Sequence, residues 1–190
     1  MIDAALHQFI AALWLVWLVC WIASARRVKA ARWVEPIFSR LLHLVPLAIA
    51  AILLAVRRPL PAVLTQRFLP PSLAAAVAGA ILVALGLGLA LWARWHLGAN
   101  WSAVVTLKEN HTLIRSGPYR VLRHPIYAGL ILAFAGTALA IGEWRGLLAL
   151  AVAVPPLLRK VRVEEKNLAA AFPDYERYRG ETFALIPWIW

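Results

Sequence analysis

Long apolar runs separated by short polar stretches set the pattern of this chain. A helix crosses a bilayer with about 20 mostly apolar residues, and residues 4–25 meet that requirement with no charge after Asp3. Residues 41–56 form a shorter run that carries Pro46 and ends at Arg57 and Arg58, whose charged heads can snorkel toward headgroups. Pro59, Pro61, Pro70 and Pro71 punctuate the next connection, and residues 73–93 then run uncharged. Two further runs, 126–141 and 144–158, are separated only by Gly142 and Glu143, which predicts a helical hairpin. Arg145 near its turn and Pro155-Pro156 near its end predict tilting or a kink. The pattern therefore predicts an all-α integral membrane protein with about five transmembrane helices. It forms one membrane-embedded domain over residues 1–190, with the N-terminal spans in 1–95 and the main polar segments in 96–190.

Composition agrees with that reading. The chain is 63% hydrophobic and 15% charged, where soluble domains carry roughly 25% charged residues. Too little polar sequence remains for a separate soluble domain of about 100–150 residues. A formal net charge of +11 raises the question of nucleic acid. The basic residues are scattered at helix ends, however, without the basic helix or aromatic-interleaved patch that such binding uses, so no nucleic-acid partner is expected.

Topology explains the charge better, because Lys and Arg concentrate in cytoplasmic loops. With the N-terminus outside, sixteen Lys and Arg residues fall inside and only Arg57, Arg58, Arg67 and Arg145 outside. The expected arrangement is multi-pass, N-terminus out and C-terminus cytoplasmic. An acidic start without a small-residue cleavage site argues against a removable signal peptide. Cys20, the single cysteine, lies inside the first run and cannot build a disulfide or thiol metal site within one chain.

Some patterned residues are expected to be structural. Gly79, Gly86 and Gly88 sit in the third run with no strand before them, which suits close helix packing rather than a nucleotide loop. Trp14, Trp17 and Trp21 form a stripe at helical spacing, expected to meet lipid or a neighbouring helix.

Candidate chemistry gathers in two polar segments that bracket the hairpin, 96–125 and 159–181. His96, His111 and His124 are too far apart for one helical face and lack an acidic partner at metal-site spacing, so no metal is expected. Ser102 and Ser116 have no nucleophile-elbow sequence, which argues against a serine hydrolase. His124 precedes Pro125, a residue suited to a first helical position. It then falls at a helix cap whose free backbone donors would favour an anionic group, although an interfacial helix end marked by Arg120, Arg123 and His124 is the plainer reading of those residue types. Arg159, Lys160, Arg162, Glu164 and Glu165 continue from the last run, with Lys160 and Glu164 four apart on one helical face; a weak surface ion pair is the plainer reading of that spacing.

Taken together, HTLIRSGPYRVLRHPIYAG and, about forty residues later, EEKNLAAAFPDYERY resemble the isoprenylcysteine carboxyl methyltransferase family of membrane enzymes. The likeness covers about the C-terminal half, and the broader superfamily also holds phospholipid methyltransferases and is related to some membrane sterol reductases. The resemblance implies that 96–190 forms a cytoplasmic pocket for S-adenosyl-L-methionine, lined by His111, Thr112, Leu113, Ile114, Tyr119, His124, Pro125, Ile126 and Tyr127 and completed by Glu164. Where the family usually has an acceptor-contacting arginine, this chain has Lys160, and Pro173 stands where glycine is common. The implied reaction is methyl transfer to a lipid-like or prenylated acceptor drawn from the bilayer, as in isoprenylcysteine carboxyl methylation. A phospholipid N-methyltransferase, a membrane reductase using a nicotinamide cofactor and a non-enzymatic scaffold stay open as alternatives.

Overall fold

The computed structural model describes residues 2–24, 36–56, 59–98 and 113–188. His111 and Thr112 lie outside these residues. The described residues are helical with short connections and form no β-strand. Seven α-helices are named here: α1 (Ile2–Ser24), α2 (Ile37–Ala55), α3 (Ala62–Thr65), α4 (Leu73–Leu97), α5 (Pro125–Ile141), α6 (Trp144–Ala171) and α7 (Tyr175–Glu181). A 3-10 turn, Gly117–Arg120, precedes α5.

Helix ends follow local chemistry. Ser72 caps α4, its hydroxyl accepting from the Ala75 amide at 3.5 Å. Pro125 opens α5 at a position where the missing N–H costs nothing. Gly142 closes α5 in the left-handed region, φ 62°, where a side chain would be strained.

Among the described residues three helices are long and apolar enough to cross a membrane: α1 over Ala5–Ser24, α2 and α4. At 17 residues α5 is apolar but shorter. The expected fifth run is the first part of α6, which continues through Pro155 and Pro156 as one 28-residue helix to Ala171. Glu164 and Glu165 therefore stand on the same rigid rod as the hairpin.

The helices pack in the order α1, α4, α5, α6, α2, with α4 and α5 in the most intimate contact. Glycine makes that contact possible. A Cβ at Gly79 would stand 2.5 Å from the Gly136 carbonyl oxygen, and one at Gly136 would stand 2.6 Å from that of Gly79. Gly86 and Gly129 oppose each other in the same reciprocal way one layer nearer the site. Gly88, expected to share the role, faces open space. Side chains such as Leu15, Val19, Ile52 and Leu85 lie exposed on the outside, as lipid rather than water would favour. The tryptophan stripe packs inward and against itself: Trp14 donates to the Thr137 hydroxyl at 3.1 Å, and Trp17 stacks on Trp21 at 4.9 Å.

The hairpin turn is locked from outside the two helices. The Gly142 carbonyl accepts from the amides of Phe68 and Leu69, and the Trp144 amide donates to the Gln66 carbonyl at 3.1 Å. Buried Arg145 pairs with buried Glu143 at 2.7 Å and donates to the carbonyls of Leu53 and Leu54 at the end of α2. A charge that water would normally solvate thus satisfies a helix end.

Candidate functional site at the open end of the hairpin

At the opposite end of α5, the chain from Leu113 to Pro125 is folded against α4, α6 and the C-terminal segment. Gly117 has φ 59°, and a Cβ there would meet the His96 ring at 2.7 Å. His96 in turn lies 2.8 Å from the Ser116 hydroxyl. The loop is thereby tied to the last turn of α4. Tyr119 is buried, its hydroxyl directed at the Ala93 carbonyl and its own carbonyl accepting from the Tyr178 hydroxyl at 2.7 Å.

The C-terminal segment adds backbone bonds in parallel register. The amides of Arg123 and His124 donate to the carbonyls of Phe183 and Ala184 at 2.8 and 3.0 Å, and the Phe183 amide donates to Val121 at 3.0 Å. Arg123 also donates to the carbonyls of Arg179 and Thr182 and to a Glu165 carboxylate oxygen, the last at 2.7 Å. The main chain of His124 is therefore held from both sides.

His124 is the residue around which the charges gather. Its ring is buried, with Nδ1 3.5 Å from Glu164 Oε2 and Nε2 3.4 Å from Glu165 Oε1. The Tyr127 hydroxyl donates to the other Glu164 oxygen at 2.5 Å. The rings of His124 and Tyr127 lie nearly parallel, and the Lys160 ammonium sits 5.6 Å from the centre of the Tyr127 ring. Lys160 is itself buried.

These contacts shift the balance of protonation. Burial disfavours a charged imidazole, but contacts with Glu164 and Glu165 and their negative charges outweigh it and raise the His124 pKa. Burial likewise opposes ionisation of Glu164, and His124, the Lys160 cation and the Tyr127 hydroxyl together bring its pKa below the ordinary value. At Glu165 burial is again overcome, here by His124 and Arg123, and the pKa falls to about 2. The arrangement favours the ionised form of both carboxylates in the part of α6 that follows its apolar run, with the Glu164 side chain still 23% exposed.

Several residues singled out from the sequence come together here. Ile114, Tyr119, Ile126 and Tyr127 meet in one cluster with Trp21 and Ala93. His124, Tyr127 and Glu164 are in direct contact, and Lys160 approaches them from the preceding turn of α6. Pro125 is buried as the first residue of α5. Leu113 is half-buried where the described loop begins. The neighbouring cations are placed differently: Arg159 donates to the Ser39 hydroxyl at 2.5 Å, and Arg162 is exposed.

The sequence reading left Arg123 and Glu165 out of the site, although they flank residues within it. Asn167 was also missed. Among the described residues its buried side-chain amide nitrogen meets no hydrogen-bond partner, and neither does the buried Tyr175 hydroxyl. The three-residue step from Glu164 to Asn167, which puts both on one helical face, is the signal that could have found it. Among the described residues no group of three or more His, Cys, Asp or Glu side chains could hold a metal ion.

The family model for phospholipid methyltransferases matches residues 74–174, from the start of α4 to the turn before α7. This chain belongs to the phospholipid methyltransferase family. The match takes in the loop, the hairpin and Glu164, while α1, α2 and the segment pairing with Arg123 lie outside it. Two curated relatives are similar over about half of the chain. One is the cobalt-zinc-cadmium resistance protein CzcN of Cupriavidus metallidurans, 34% identical over 93 residues, covering 48% of this chain and 43% of that protein. The other is the protein-S-isoprenylcysteine O-methyltransferase of Schizosaccharomyces pombe, 31% identical over 96 residues, covering 48% of this chain and 41% of that protein. The alignments thus span about two fifths of the length of each relative.

Proposed function

We propose that this protein transfers a methyl group from S-adenosyl-L-methionine to a hydrophobic or lipidated acceptor, with a carboxylate as the acceptor group. The observation that carries the reading is Glu164, ionised and partly exposed, braced by His124 and Tyr127 where the hairpin opens, in a chain of the phospholipid methyltransferase family.

The residues present suit such a cofactor. A cationic sulfonium with ribose hydroxyls and an ammonium group calls for fixed negative charge, aromatic surface and a few hydrogen-bonding groups. Glu164, Tyr127 and the Asn167 amide, which has no partner among the described residues, offer these. When bound, the cofactor supplies an electrophilic methyl carbon. Glu164 binds its polar groups, His124 holds the two carboxylates in register, and Leu113, Ile114, Tyr119, Pro125 and Ile126 shape the surrounding wall. His111 and Thr112 are assigned to the same pocket by motif position alone.

A carboxylate acceptor is ionised at neutral pH and needs no general base, so orientation and exclusion of water are the chief tasks. Lys160 is placed to orient it, being buried beside Tyr127 and one turn before Glu164. Its single ammonium charge lacks the planar fork of arginine, so it fixes charge more than geometry. The acceptor tail enters from the bilayer, and the division of basic residues, sixteen against four, supports a cytoplasmic site and C-terminus with the N-terminus outside.

A second acceptor class follows from membership of the phospholipid methyltransferase family, namely the amine of a phospholipid headgroup. Methyl transfer from labelled cofactor to a panel of prenylcysteine, fatty acid and phosphatidylethanolamine acceptors in vesicles separates the two. Label in a base-labile ester supports the carboxylate reading, and label in the headgroup amine replaces it. Binding of NADPH with no methyl transfer to any acceptor overturns both and favours the reductase alternative.

A further inference from the structure

The C-terminal segment changes character within three residues. Ala184 and Leu185 are buried against the loop that carries His124, whereas Ile186 is 50% exposed and Trp188 is 88% exposed. The exposed indole is not simply trailing. Its backbone has φ 63°, a left-handed conformation that costs a bulky residue energy, and its ring rests against Phe183 at 5.8 Å. Phe183 is the residue that pairs with Val121 and Arg123. A strained backbone therefore holds a large apolar ring outward, braced on the strap that positions the site.

Other apolar side chains are exposed at the same end of the bundle. Trp92 and Trp95 project from the last turns of α4, and Val121 projects from the loop bonded to Phe183. Tyr119, from that same loop, docks on the Ala93 carbonyl between the two tryptophans in sequence. Tryptophan collects where hydrocarbon meets headgroups, since its ring is apolar and its N–H is polar. Here α4 is a membrane span whose tryptophans mark that level, and the C-terminal tail emerges beside it.

We propose that residues 186–188 form an interfacial anchor, with Ile186 and Trp188 inserted into the headgroup region of the leaflet that carries the site. The partner is the lipid surface itself. Anchoring the tail there fixes the strap at residues 183–184 against Arg123 and His124, and so sets the site at the membrane surface. This inference does not depend on which reaction the site performs.

The full chain tests it in phosphatidylcholine–phosphatidylglycerol vesicles. In a Cys20→Ser background, Pro187→Cys carries an environment-sensitive nitrobenzoxadiazole label beside the retained Trp188, and Arg177→Cys carries the same label at a site 78% exposed on α7. The anchor predicts blue-shifted emission at 187, quenching by lipids spin-labelled near the headgroup, and little quenching by aqueous iodide, with the opposite pattern at 177. Adding Trp188→Glu to the 187-labelled chain must move its signal toward that of 177. If the label at 187 behaves as it does at 177, or if Trp188→Glu leaves its signal unchanged, the anchor does not exist.

Discussion

Replacing Gly129 with alanine adds one methyl group at the tightest layer between α4 and α5. The new Cβ would stand 3.0 Å from the Ala90 amide nitrogen and 3.2 Å from its Cβ, and nearer still to the Gly86 carbonyl oxygen. All three belong to a helix that cannot yield atom by atom. A carbon normally approaches a carbonyl oxygen no closer than about 3.3 Å, so the helices must separate by roughly 0.7–1 Å here. A gap of that size forfeits about a quarter to a half of each dispersion contact along the seam, and overpacking of this kind costs about 1–3 kcal/mol. In thermal unfolding of the purified protein in detergent, a fall of roughly 2–10 °C follows. Gly88→Ala is the control, because nothing lies within 4 Å of its added Cβ; there the helix gains about 0.5–1 kcal/mol and the midpoint holds or rises. Equal behaviour of the two variants, or an unchanged midpoint for Gly129→Ala, would refute the close-packed seam.

Three further outcomes follow from the charged groups. The lowered pKa of Glu165, about 2, contributes stability above its ordinary value of 4.5 that is lost as pH falls toward 2. The raised pKa of His124 contributes stability present below 6.5 that is lost as pH rises through its folded value. Melting midpoints measured against pH should therefore peak on the mildly acidic side, and the alkaline decline should flatten in His124→Asn; an unaltered decline would remove His124 as its cause. Lys160→Ala should raise the acceptor KM about tenfold or more, as loss of a charge-assisted bond of about 1.5–3 kcal/mol requires, while the cofactor Kd holds and Lys160→Arg restores most of the effect; a changed cofactor Kd with a constant acceptor KM would reverse the assignment. Arg145→Met takes the guanidinium away from buried Glu143 and from the end of α2, and breaking such a pair costs about 3–5 kcal/mol. Its melting midpoint should fall well below that of the double variant Glu143→Gln/Arg145→Met, and equal midpoints would show that the pair is not coupled.

The helices were legible because lipid-facing helices need long apolar runs, and such runs are visible without any partner. The runs at 4–25, 41–56 and 73–93 became α1, α2 and α4, each shifted or extended by up to a turn, since a helix continues past its apolar part when side chains such as Arg94 find partners, here the Gly98 and Ser24 carbonyls. The continuation of α6 beyond its prolines could also be read, because Lys160 to Glu165 keeps helical spacing. In the candidate site, His124, Tyr127 and Glu164 were singled out through motif resemblance, and their contacts across about forty residues are what the fold supplies. The pairing of residues 121–124 with 183–184 left no local trace: backbone bonds across about sixty residues ask nothing special of either segment's side chains. The same holds for the bonds from Gly142 to Phe68 and Leu69, where only the glycine advertises its position. Gly88 shows the opposite error, a small residue in the right periodicity on a face that meets no helix.

The proposed role of Glu164 as the anionic anchor for the cofactor is tested most directly by calorimetric titration of S-adenosyl-L-methionine into the detergent-solubilised protein. Folded wild-type protein should bind with one-to-one stoichiometry, and Glu164→Gln, shown to be folded by its circular dichroism, should bind at least about tenfold more weakly. Equal affinity in the two proteins, or no heat of binding from the folded wild type, would contradict the account.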